Sequence, residues 1–183
     1  MAAETDKRGP QAPLRLLLLR HAKSAWPEGV VDEERPLNGR GREAAKLIGD
    51  YLARQGLIPD LALVSSARRT QETWALVRER LPSKPEMRAE PALYAASPQE
   101  MLDVLKTVGA EPKTVLMLAH NPGTQELALG LSGAQSDAPA KAAMAEKYPT
   151  AGLAIIDLAV GDWTSANFGC GRLERFVTPR SLV

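Results

Sequence analysis

The chain of 183 residues contains two histidines, His21 and His120. Each stands directly behind an apolar run of strand length, residues 14–19 for the first and 115–119 for the second. Open α/β sheets collect their ligands just beyond the carboxyl ends of their strands, so both imidazoles are expected at one sheet edge. A neutral imidazole there can act as a nucleophile, and a protonated one can donate to an anion. One loop histidine alone reads equally well as a ring satisfied by a backbone carbonyl; the matched placement of two weighs against that. Arg20 precedes His21, and Arg69 falls in the first turn of a helix that follows another short apolar run, 61–64. Two guanidiniums converging on a sheet edge call for an anion, because their donor forks match phosphate oxygens and unpaired burial costs several kcal/mol. The competing reading is a pair of solvated surface arginines.

Positioning these four residues requires alternating strands and helices. Asn38 is placed to cap a helix whose apolar residues Ala44, Ala45, Ile48, Tyr51 and Leu52 share a face, with Gly56 at its stop. Thr70, Trp74, Val77 and Leu81 recur at helical spacing until Pro82. Ser97, Pro98 and Glu100 spell a capped helix start with a proline in its first turn, followed by Met101, Leu102, Leu105 and Val108 on the buried side. Residues 124–131 read as a short helix, and 153–158 and 173–178 as two further strands. Between 132 and 150 the composition predicts a surface excursion holding at most one short helix. The pattern as a whole predicts an α/β fold. Residues 1–13, with Pro10, Pro13 and mixed charges but no apolar period, read as a flexible tail, and 14–183 as a single domain.

Beyond periodicity, the segment Leu18-Leu19-Arg20-His21-Ala22-Lys23-Ser24 resembles the signature of the histidine phosphatase superfamily, in its SixA-type phosphohistidine phosphatase branch. Arg35-Pro36-Leu37-Asn38 with Gly41-Arg42, then Ser65-Ser66-Ala67-Arg68-Arg69-Thr70-Gln71-Glu72-Thr73, and His120-Asn121-Pro122-Gly123 follow in the order of that family. The resemblance spans about residues 14–180 and selects Arg69 over Arg68, which is expected to be exposed. It implies a three-layer α/β/α sandwich of the phosphoglycerate mutase-like type with a mostly parallel central sheet. It also implies a catalytic set of His21, Arg20, Arg69 and His120. His21 would attack phosphorus and carry the phosphoryl group, while Arg20, Arg69 and a protonated His120 would bind the oxygens. Neighbouring positive charge should hold the pKa of His21 down.

One position departs from the family pattern. Where many members carry a carboxylic acid that protonates an alkoxide leaving group, this chain has Ala95. Glu90, Asp32 and Glu34 are the nearby candidates to replace it, each also readable as a solvated loop carboxylate. A phosphohistidine substrate tolerates the loss, since imidazole leaves more readily than an alkoxide. The expected partner is therefore a phosphorylated protein, such as a phosphotransfer domain. A small phosphate ester, or a phosphate-binding regulatory module without turnover, are the alternatives.

Other classes are disfavoured. With 23 Lys and Arg against 22 Asp and Glu, the formal net charge is +1, and the cations form no continuous basic run for nucleic acid or an anionic membrane. No apolar stretch is long enough to span a bilayer. Gly39-Arg40-Gly41-Arg42-Glu43-Ala44 spells a dinucleotide-binding pattern but follows a polar loop instead of a strand. Six residues after Cys170, where a cysteine phosphatase needs its arginine, stands Phe176. Cys170 is alone, which favours a reducing cytoplasm. No metal or other cofactor is expected, and activity is expected to survive a chelator.

Overall fold

The computed structural model describes residues 12–183. The tail expected at 1–13 therefore lies, apart from Ala12 and Pro13, outside the described residues. Six strands form one sheet: β1 (Leu14–Arg20), β2 (Leu61–Ser65), β3 (Glu86–Glu90), β4 (Thr114–Ala119), β5 (Leu153–Leu158) and β6 (Gly171–Val177), in the order β3-β2-β4-β1-β5-β6. The pairs joining β3, β2, β4 and β1 are parallel, and those joining β1, β5 and β6 are antiparallel. The sheet is mixed and mostly parallel, flanked by helices, as expected.

Side-chain alternation along the strands explains the layers. Leu17 and Leu19 of β1, with Ala62, Val64, Leu116, Leu118 and Ile155, join one apolar cluster with Ile48, Leu52, Trp74 and Val77. These last four come from α1 (Gly39–Arg54) and α2 (Arg68–Arg80). On the opposite face Leu16, Leu18, Leu63, Met117 and Ile156 join a second cluster with Met101, Leu105, Leu127 and Met144. Those come from α3 (Pro98–Lys106), α4 (Gly123–Leu131) and α5 (Ala138–Glu146). Because the middles of β1 and β4 are buried on both faces, residues 16–19 and 115–119 read in sequence as continuous apolar runs. Among the described residues, no helix is long and apolar enough to cross a membrane.

Helix ends follow the sequence signals. Asn38 Oδ1 accepts from Gly41 N at 2.9 Å, and Gly56 past the end of α1 has φ +65°. Ser97 and Glu100 form the reciprocal capping box of α3. Gly41 is needed for a close approach: a Cβ there would stand 2.0 Å from the carbonyl oxygen of Lys23. Gly41 of the dinucleotide-like pattern thus lets α1 sit on the loop after β1. Strand β3 was not expected. Its sequence Glu86-Met87-Arg88-Ala89-Glu90 is polar and largely exposed at the sheet edge, so no apolar face marks it.

Candidate active site

Three adjacent parallel strands, β2, β4 and β1, end side by side, and the four residues singled out above stand at those ends. Arg20 is the last residue of β1, with His21 next; His120 follows β4, and Arg69 lies in the first turn of α2 just after β2. They line one cavity of about 350 Å³ together with Lys23, Ser24, Trp26, Arg35, Asn121 and Thr150. The two imidazole rings are 5.3 Å apart between centroids. Arg68 points away, exposed and paired with Glu72 at 2.7 Å.

The loop carrying His21 is pinned on several sides. His21 N donates to Ala119 O at 3.1 Å, Ala22 N to Thr73 Oγ1 at 3.0 Å, and Ala151 N to His21 O at 3.0 Å. His21 Nδ1 lies 2.7 Å from the carbonyl oxygen of Ala22. A carbonyl can only accept, so Nδ1 carries the proton and the lone pair resides on Nε2. Burial, followed by the charges of His120, Arg69 and Arg20, pushes the pKa of His21 down to about 3. At neutral pH this ring is uncharged and of fixed tautomer, with a lone pair on Nε2.

His120 has the opposite tautomer. Its Nδ1 is 3.2 Å from Arg69 Nη2, which can only donate, so its Nε2 carries the hydrogen donated to Ser65 Oγ at 2.7 Å. Burial and the nearby Arg69 charge lower its pKa to about 4, with Asp32 opposing them. Within the protein's own field this ring is neutral at pH 7, and only a further negative charge beside it can bring its second proton on.

Both pocket arginines are braced and keep donors to spare. Arg20 Nη1 donates to Tyr148 O at 2.7 Å, and Arg69 Nη1 to Asp32 O at 2.7 Å with Nη2 3.1 Å from Asp32 Oδ2. The Nε of each is buried without a partner among the described residues. Buried guanidinium donors of this kind suit an oxyanion.

With this geometry in view, the relatives can be placed. An uncharacterized protein of Mycobacterium tuberculosis is 36% identical over 163 residues, covering 88% of this chain and 100% of that protein. The histidine phosphatase superfamily (branch 1) model matches residues 16–94. The chain belongs to the histidine phosphatase superfamily. Among solved structures, one named as phosphohistidine phosphatase SixA from Nakamurella multipartitia is similar at TM-score 0.80 and 25% identity, covering 93% of this chain and 99% of that one. The fold is also shared with a protein histidine phosphatase SixA complexed with tungstate, at TM-score 0.75 and 22% identity over 93% and 100% of the two chains.

Against that superfamily pattern, the proton-donor question takes a definite form. Ala95 is exposed with φ +52° and brings no acid. Asp32 accepts from Tyr94 Oη at 2.7 Å, Arg35 Nη1 at 2.9 Å and Arg69. Tyr94 and Arg35, ahead of the Arg69 charge, hold its carboxyl well below the usual carboxylate range, so at neutral pH it has no proton to give. Glu90 pairs with Arg88 at 2.5 Å, and neither it nor the exposed Glu34 lines the cavity.

Sequence reasoning missed Arg35 as a pocket residue. It is buried, bonds Ser24 Oγ, Ala25 O and Asp32, and lies 3.1 Å from the ring centroid of Trp26. The signal was Arg35-Pro36-Leu37-Asn38, read only as the approach to α1. Tyr94, part of the family resemblance but not named as a site residue, meets His120 edge-on with its ring at 5.6 Å.

Proposed function

We propose that this protein is a phosphohydrolase that removes phosphoryl groups from phosphohistidine in proteins through a covalent intermediate on His21. The observation carrying the reading is the convergence of a neutral His21, a half-buried Arg20, a buried Arg69 and His120 around one cavity whose lining, among the described residues, holds no carboxyl.

Arg20, Arg69 and His120 bind the phosphoryl oxygens, with Arg35 adding charge at the rim. The His21 Nε2 lone pair forms a bond to phosphorus as the phosphorus bond to the leaving imidazole breaks; that bond's electron pair stays on the departing ring, which takes up a proton from solvent water. Water then attacks phosphorus, the His21–phosphorus bond breaks, and its electron pair returns to Nε2 as inorganic phosphate leaves. The phosphoryl dianion raises the pKa of His120, so binding itself loads the second imidazole with the proton that strengthens its donation. A leaving alkoxide would need a strong acid beside it, which this lining does not supply.

Residues 14–183 act as one catalytic unit in this reading, without metal, and the lone Cys170 fits a reducing cytoplasm. The test is a comparison of kcat/KM on a histidine-phosphorylated phosphotransfer domain and on sugar phosphates. The reading predicts strong selectivity for the phosphoprotein; efficient, selective cleavage of sugar phosphates would reject it.

A further inference from the structure

Beside the phosphate cavity lies a second, larger hollow of about 630 Å³. Lys23 and Thr150 line both, so the two are contiguous. Among the described residues its charged lining is Lys23, Arg40, Lys147 and Arg180, with no carboxylate, and Phe176 contributes to its apolar wall. In a chain whose cations and anions nearly balance, four charges of one sign around one concavity repel each other and stand ready for a counter-charge. All four are exposed, and none makes a hydrogen bond or ion pair of its side chain among the described residues. The carboxylate of Glu43, which borders a neighbouring depression with Arg40 and Arg180, is paired with Lys46 at 2.9 Å.

We propose that this hollow is a specificity groove for an acidic segment flanking the phosphorylated histidine of the substrate protein. The inference rests on the phosphohistidine reading and extends it to the substrate's sequence. A phosphoryl group seated between His21 and Arg69 sends its flanking chain across Lys23 and Thr150 into the hollow. There Asp or Glu side chains meet the four cations while their stems lie on the apolar wall. The hollow is nearly twice the volume of the phosphate cavity, which suits several side chains better than one further small anion.

The test uses two synthetic peptides phosphorylated on one histidine, one flanked by glutamates and the other by glutamines at the same positions, with p-nitrophenyl phosphate as the small-substrate control. The expected kcat/KM is about tenfold higher for the glutamate peptide at low salt, a preference that shrinks as ionic strength rises. In a Lys147→Glu/Arg180→Glu protein the preference disappears while p-nitrophenyl phosphate turnover stays within about twofold, which also reports an intact fold. Equal rates on both peptides, or a preference untouched by the charge reversal, would overturn the groove. Failure on both peptides with normal aryl phosphate turnover would instead remove the phosphohistidine reading beneath it. A bisphosphorylated sugar preferred over the glutamate peptide would overturn the proposal in favour of a small dianionic substrate.

Discussion

His21 and His120 are the same residue type, buried to a similar degree at the ends of neighbouring parallel strands, yet their surroundings give them opposite faces. A carbonyl, Ala22 O, takes the Nδ1 proton of His21 and leaves Nε2 as a lone pair. A cation, Arg69, occupies the Nδ1 lone pair of His120 and turns its Nε2–H toward Ser65. The difference shows that which ring nitrogen carries the hydrogen is set by neighbouring contacts and not by the imidazoles themselves. It also places the asymmetry in motifs on separate elements: the His21 contact lies within its own loop, and the His120 contacts come from β2 and α2.

Removing the rings one at a time breaks the comparison most severely. His21→Ala is expected to lower kcat by about four orders of magnitude or more in steady-state assays, because it deletes the covalent catalyst. His120→Ala should cost about a hundredfold to a thousandfold, the range for loss of one transition-state donor, while still permitting slow phosphorylation of His21. Equal losses from the two substitutions would dissolve the distinction between them.

A smaller effect is expected at the braces. Asp32→Asn weakens the hold on Arg69, Arg35 and Tyr94, and removes the negative charge that opposes the lowering of the His120 pKa. Activity on p-nitrophenyl phosphate should fall roughly tenfold, and histidine NMR titration should show the His120 pKa lower still. Ser65→Ala should cost only a few-fold, with a change in the tautomer balance of His120 and none in that of His21. A His21 signal that moved with Ser65 would contradict the independence of the two contacts.

Stability carries the same signature in its pH dependence. Both histidines have folded pKa values below the ordinary 6.5, at about 3 and about 4. Above the ordinary value both the folded and unfolded rings are neutral, and the full stability is present. Between that value and the folded ones the unfolded chain binds protons that the native pocket refuses, so stability drops as pH falls. Urea denaturation from pH 7 to pH 4 should show this loss, and His120→Ala should flatten part of it.

The core was legible in sequence because strand alternation, helix spacing and capping residues are local codes. Ser97-Pro98-Glu100 and the paired apolar runs before His21 and His120 each carry their meaning within a few positions. Strand β3 was not legible, since an exposed edge strand has no buried face to print in its side chains. Arg20, His21 and His120 could be named because each sits at a strand end, whereas Arg69 shares a helix's first turn with Arg68 and was singled out by the family resemblance. Arg35 could not be read the same way: its partners Ser24, Ala25, Trp26 and Asp32 meet it only where the loop after β1 folds back on itself. The basic hollow was hidden for a similar reason, being assembled from segments around residues 23, 40, 147 and 180 that only the fold brings together.

In the proposed mechanism phosphorus bonds to Nε2 of His21. Rapid alkaline quenching of the enzyme during turnover, followed by peptide mapping and phosphorus–nitrogen NMR, tests it most directly. An acid-labile, alkali-stable phosphoramide on His21, bonded at Nε2, is the expected result. A phosphoryl group found at Nδ1 of His21, or on His120, would contradict it.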